Sequence, residues 1–142
     1  MRTRVCNGKE QIFCEWRHRW VRLTPEEWVR QQILHRLVEE YGYPASLIAV
    51  EKAITVGEAK KRCDAVVYDT TMQPLMLIEC KAETVALTQK TLDQAVTYNR
   101  KLHVPYLLLC NGPQLIFVTI EKNGTNTNSQ RLARYADLLR CE

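Results

Sequence analysis

Three residues in two short stretches have the types and spacing to do chemistry together. "RCDAVVYD", residues 62–69, carries Asp64, and "LIECKAE", residues 77–83, carries Glu79 and Lys81. Glu79 and Lys81 are two positions apart, so on a strand they project from one face. The short polar "DTTMQP" between the stretches predicts an antiparallel hairpin. Centring its turn between Thr71 and Met72 sets Asp64 opposite Glu79. Directly opposed side chains have Cβ atoms about 4.5–5.5 Å apart, and like charges there are destabilising. A hard cation such as Mg²⁺ would compensate, since it takes oxygen ligands and typically one or two carboxylates with phosphate and water. The main-chain carbonyl of Cys80 is a further candidate ligand, and Lys81 a further positive charge. Strand alternation predicts Arg62, Asp64 and Val66 on one face with Leu77, Glu79 and Lys81. It leaves Cys63, Ala65, Val67, Ile78 and Cys80 for the core. The competing reading of the same residues is a surface ion-pair cluster of Arg62, Asp64, Glu79 and Lys81.

Two helices are placed to flank this hairpin. In "TPEEWVRQQILHRLVEEYGYP" Thr24 is a candidate N-cap, Pro25 fits the first helical position and Glu27 completes a capping box. Val29, Ile33, Leu34, Leu37 and Val38 form its apolar stripe, and Gly42 is a natural stop. Glu27 and Gln31, four apart, share a face. Glu27 is a candidate metal ligand, preferred to Glu26 for that reason; its alternative is the capping box alone. In "LTQKTLDQAVTYNRKL", residues 87–102, Gln94 and Tyr98 repeat the spacing, with a core aromatic as the alternative for Tyr98. Lys60, Lys61 and Arg62 form a basic run before Asp64, a solvated loop by default and a hold on a phosphate backbone if the site is real. Glu51 is a further acidic candidate or an exposed strand-end carboxylate. His18, His35 and His103 form no ligand pattern.

The remaining elements follow from composition. Residues 1–23 read as irregular or short strands, with "EWRHRWVRL" an edge strand. Strands are expected at 46–54, 62–69, 74–80, 104–110 and 114–120, the apolar "VPYLLLC" being central or parallel. "EKNGTNTNSQ" reads as a loop, with Asn123-Gly124-Thr125 a turn, and "RLARYADLLR" as a closing helix. The order is α/β with a mixed sheet. The expected organisation is a single domain over 1–142, with an N-terminal extension (1–22), a core (23–120) and a loop and helix (121–142).

The bulk numbers exclude several classes. A hydrophobic share of 46% with 25% charged residues argues against wholesale disorder. No apolar run approaches a membrane span, and no secretory signal opens the chain. The six cysteines, at 6, 14, 63, 80, 110 and 141, form no C-x-x-C pair, which favours free thiols in a cytoplasm. A net charge of +4 weakly favours a polyanionic partner.

Asp64, then "ECK" with Glu79 and Lys81, after Glu27 on the first helix, resembles the PD-(D/E)XK nuclease superfamily. The chain is most similar to the N-terminal nuclease domain of type I restriction enzyme R subunits (HSDR_N-like), in a stand-alone bacterial form. "RLTPEEWVRQ", "KKRCDAVVYD", "LIECKAE", "LDQAVTYN" and "PYLLLCNG" carry the likeness. The resemblance implies a restriction-endonuclease-like αβββαβ core, a mixed central sheet flanked by helices. It implies Mg²⁺-dependent DNA cleavage, with Mn²⁺ able to substitute. Catalysis would fall to Asp64, Glu79, Lys81 and Glu27. The metal would rest on Asp64, Glu79, the Cys80 carbonyl and Glu27, and Gln94, Tyr98, Gln31, Lys61 and Arg62 would bind substrate. Expected partners are DNA, restriction or helicase subunits and a second copy as a homodimer, without a membrane. Cys63 stands in place of the family's leading Pro, which is often absent. There is no G-x-x-x-x-G-K-[ST] loop, so no ATP-driven motor is expected in this chain. A non-catalytic nucleic-acid-binding module and an interaction domain are the competing functions.

Overall fold

A computed structural model describes residues 1–140. The chain opens with a three-stranded antiparallel sheet, β1 (Thr3–Cys6), β2 (Lys9–Cys14) and β3 (Arg19–Arg22). The first turn is Asn7-Gly8, both at positive φ, the pairing that two-residue hairpins favour. Of the two expectations for residues 1–23, irregular chain or short strands, it is the short strands that form. The expected strand over residues 15–23 begins only at Arg19, because a turn occupies residues 15–18.

The rest is a six-stranded mixed sheet with helices on both faces. The elements are α1 (Pro25–Tyr41), β4 (Ile48–Val56), β5 (Ala59–Tyr68), β6 (Pro74–Cys80), α2 (Gln89–Leu102), β7 (Tyr106–Cys110), β8 (Leu115–Ile120), β9 (Asn126–Ser129) and α3 (Tyr135–Arg140). The strands lie in sequence order, and only β6 and β7 run parallel. That pair is joined through α2, as a parallel connection requires. The expected αβββαβ order is present as α1-β4-β5-β6-α2-β7. The tail is not all loop: β9 pairs with β8 after an Asx turn in which Asn123 Oδ1 accepts the N–H and hydroxyl of Thr125. No described helix is long and apolar enough to cross a membrane.

Two apolar layers fix the sheet. Val29, Ile33, Leu34 and Leu37 of α1, with Tyr135 and Leu138 of α3, pack on Ala65, Val67, Ile78 and Leu108. Leu92, Val96 and Leu102 of α2 pack on Val66, Leu77, Leu107, Leu109 and Val118 on the other side. α1 starts and stops where its caps dictate. Thr24 Oγ1 accepts the Glu27 N–H at 3.0 Å, and Gly42 closes the helix at φ 74°. Only half of the expected capping box forms, because the Glu27 carboxylate turns to guanidiniums instead.

Candidate active site

The β5–β6 register brings the two stretches together. Ala65 pairs with Ile78, Val66 with Leu77 and Val67 with Met76, and a bulge at Val67/Tyr68 absorbs the turn. Extending that register by one residue sets Asp64 against Glu79. There the ladder gives way to a side-chain bond: Asp64 Oδ2 accepts the Cys80 N–H at 2.7 Å. Lys81 leaves β6 next, its N–H donating to the Cys110 carbonyl at 2.8 Å. Asn111 then holds the following loop through Val85 at 2.9 Å, and Gly112 (φ 104°) admits it, since a Cβ there would lie 3.0 Å from Glu83. The strand exit that carries Lys81 is therefore tied to the end of β7.

Asp64 also marks a twist in the sheet. β4 and β5 pair in constant register except at Glu51 and Asp64, which are skipped. Glu51 has φ 52°, a left-handed conformation that costs a non-glycine residue on the order of 1 kcal/mol. The buried face changes across this point. Ile48, Ala65 and Val67 pack in the α1 layer, but Ile54 and Cys63 pack in the α2 layer. This corrects the expected alternation: Cys63 does not share a face with Ala65, and Arg62 does not stand beside Glu79. Lys61 does, with Nζ 3.1 Å from Glu79 Oε1. Arg62 instead meets Glu51 at 3.3 Å.

The electrostatics differ sharply between the acids. Glu79 has a side chain only 14% exposed. Burial holds its carboxyl above the usual range; Lys61 and, more weakly, Lys81 pull it back, while the negative charge of Asp64 adds to the rise. Burial alone would lower the Lys61 ammonium, but Glu79 outweighs it and raises it. Burial would also raise Glu27, yet hydrogen bonds from Arg30, Arg17 and Gln31 overcome this and hold it below the usual range. The distances are 2.5 Å to Arg30, 2.7 Å to Arg17 and 2.9 Å to Gln31 Nε2. Arg30 continues the chain of contacts to the Asp64 carbonyl at 3.3 Å and to Asp64 Oδ1 at 3.8 Å.

The expected site residues therefore fall into three groups. Asp64, Glu79, Cys80 and Lys81 come together with Lys61. Glu27 and the fully buried Gln31 do share a face, but they meet Arg17 and Arg30 and reach Asp64 only through Arg30. Tyr98 sits between Lys61 and Lys101 at 5.7 and 5.8 Å, with its hydroxyl on the Lys60 backbone, while Gln94 is exposed on α2. Sequence reasoning missed Arg17 and Arg30. The Glu27–Arg30 spacing on α1 was a signal for the second. Nothing local marked Arg17, which arrives from the β2–β3 turn.

A divalent cation suits part of this donor set. Glu79 Oε2 accepts no hydrogen bond among the described residues, and Asp64 Oδ1 accepts none but lies 3.8 Å from the Arg30 guanidinium, so each acid keeps an oxygen outside the hydrogen-bond network. Both oxygens of Glu27 are engaged. No group of three or more His, Cys, Asp or Glu side chains converges among the described residues, so two carboxylates with a main-chain carbonyl and water is the set available. The Cys80 thiol is turned into the core, 3.7 Å from Cys110, whose hydrogen bond together with burial raises it well above the ordinary range. A broad hollow of about 1380 Å³, lined by Arg100, His103, Lys122 and Asn123 among others, lies away from these residues.

Comparison with known proteins gives the same grouping. The family described as type I restriction enzyme R protein N terminus (HSDR_N) matches residues 25–134. No curated protein matches. Among solved structures, a fragment assigned to the HsdR subunit of a type I restriction enzyme from Vibrio vulnificus is 17% identical, with a TM-score of 0.60 over 83% of this chain. This chain spans only 25% of that one. A DUF820 protein assigned as a nuclease, from Anabaena variabilis, is 9% identical with a TM-score of 0.50, over 88% of this chain and 79% of the other. At these identities the likeness concerns the fold.

Proposed function

The chain belongs to the type I restriction enzyme R protein N-terminal family, and from that premise we propose that it hydrolyses DNA phosphodiester bonds with Mg²⁺, which Mn²⁺ can replace. One observation carries this reading. The bond from the Cys80 N–H to Asp64 seats one acid against the strand that bears the second acid and the lysine. Asp64, Glu79 and the Cys80 main-chain carbonyl would hold the ion. When bound, such an ion polarises the phosphate and lowers the pKa of a water.

The other roles follow from charge and exposure. Lys81 has no carboxylate within 4.0 Å among the described residues, which leaves its ammonium for the negative charge that develops on the phosphate. Lys61 would bind the DNA backbone, and Arg62 would add a phosphate contact. Tyr98 holds this basic run through the Lys60 backbone, and Gln94 meets the substrate from α2. Glu27 and Gln31 act as positioning residues by fixing Arg30 against Asp64. The protein works in a bacterial cytoplasm with restriction or helicase subunits that supply translocation. A second copy supplies the cut on the opposite strand.

One observation favours a non-catalytic nucleic-acid-binding module instead: Lys61 and Arg30 already neutralise Glu79 and Asp64 without an ion. Supercoiled plasmid separates the two readings. With Mg²⁺ or Mn²⁺ the protein should nick or linearise it, and Asp64→Ala and Lys81→Ala should each lose about 100-fold or more. Binding without cleavage favours the module. Cleavage that persists in both variants ends the hydrolase reading.

A further inference from the structure

The chain's positive charge is concentrated in one small element. Residues 1–23 hold six Lys/Arg against two Asp/Glu, whereas the remaining residues hold fourteen of each. The whole formal excess of +4 therefore sits on the N-terminal sheet, outside the residues that match the family.

Strand register sorts that charge onto one face. Ile12 and Cys14 are fully buried, so Lys9, Gln11 and Phe13 point the other way along β2. Their cross-strand partners are Arg4 and Arg22 beside Gln11, and Trp20 beside Phe13. Arg2 joins them, its guanidinium 4.3 Å from the Phe13 ring centroid. Arg4 lies 4.3 Å from the Trp20 centroid and donates to Gln11 Oε1 at 2.8 Å. The two rings meet edge to face at 5.5 Å. Glu10 falls on the opposite face, paired with Val5, so no carboxylate from these strands dilutes the four cations.

We propose that this face, formed by Arg2, Arg4, Lys9, Phe13, Trp20 and Arg22, is a docking platform for single-stranded nucleic acid. The occupant follows from the chemistry. Guanidiniums set over aromatic rings, with the rings themselves, offer planes on which unpaired bases stack, and the surrounding cations track phosphates. An acidic protein segment would use the cations but not the rings. The platform is fastened next to the acidic site, because Arg17 in the β2–β3 turn bonds Glu27 at 2.7 Å and Glu51 at 2.9 Å.

The test is binding in EDTA, where no cleavage occurs, so it stands apart from the hydrolysis reading. Fluorescence anisotropy would compare labelled oligo-dT with a duplex of the same length. The protein should prefer oligo-dT. Arg4→Ala/Arg22→Ala, both exposed, should weaken it about tenfold and flatten the log–log salt dependence by about 1.4. Trp20→Leu, with its fold checked by circular dichroism, should weaken oligo-dT while leaving the salt slope unchanged. Equal or tighter binding of duplex, an Arg4/Arg22 variant that binds normally, or equal competition by poly-glutamate would each overturn the proposal.

Discussion

Asp64 and Cys80, sixteen residues apart, are joined by a 2.7 Å hydrogen bond from backbone N–H to carboxylate. Asp64 thus replaces a ladder bond at the point where the β4–β5 pairing is interrupted. An amide side chain can accept the same bond without the charge. Asp64→Asn should therefore abolish metal-dependent cleavage yet change folding stability by no more than about 1 kcal/mol. Urea denaturation alongside the plasmid assay checks both halves.

Glu27 should behave in the opposite way. Its carboxylate neutralises Arg17 and Arg30, whose side chains are each only 11% exposed. Removing one partner of a buried ion pair costs about 3 kcal/mol or more, so Glu27→Gln should lower the urea midpoint markedly. The depressed pKa sets the pH window. The contribution is fully present above the ordinary carboxylate range and is lost as pH falls through the depressed value. The gap between the two proteins should persist at pH 5 and shrink only in stronger acid.

Glu79 has a raised carboxyl, so its linkage carries the reverse sign. Between the ordinary and the raised value the folded state holds more protons than the unfolded state, and stability falls as pH rises. Without metal, Glu79→Gln should melt at a higher temperature than the parent protein at pH 7, and the difference should close towards pH 4. A melting temperature below that of the parent at pH 7 would contradict the assignment of Glu79 as a buried acid whose burial outweighs its ion pair with Lys61.

Tyr98 links α2 to the β4–β5 hairpin through its hydroxyl, bonded to the Lys60 backbone. Tyr98→Phe keeps the ring between Lys61 and Lys101 but removes that link. The expected loss is about 1 kcal/mol of stability. Thermal melting measures it, and amide exchange at Lys60 should accelerate.

Much of this arrangement was legible in the sequence where local chemistry and long-range pairing agree. The polar turn after Asp69 was enough to set the Ala65–Ile78 register, and Thr24, Pro25 and Gly42 were enough to bound α1. Failures came where tertiary contacts override the pattern. The faces of Cys63 and Ala65 part where Glu51, at positive φ, and Asp64 fall out of the ladder, and no residue type announces it. β9 is Asn-Thr-Asn-Ser, a composition typical of turns, and it forms only because the β8 edge is there to pair with. Asn7-Gly8 was a hairpin signal in plain view, flanked by strands too polar to stand out. Arg17 lies ten residues from Glu27 across a turn, a contact that only the folded chain reveals.

The most direct test of the acidic pair is a crystal soaked in Mn²⁺ and measured for anomalous scattering. The expected result is a peak within ligand distance of both the Asp64 and Glu79 carboxylates, with the Lys61 ammonium displaced from Glu79. A soaked crystal with Lys61 still on Glu79 and no peak between the two carboxylates would contradict it.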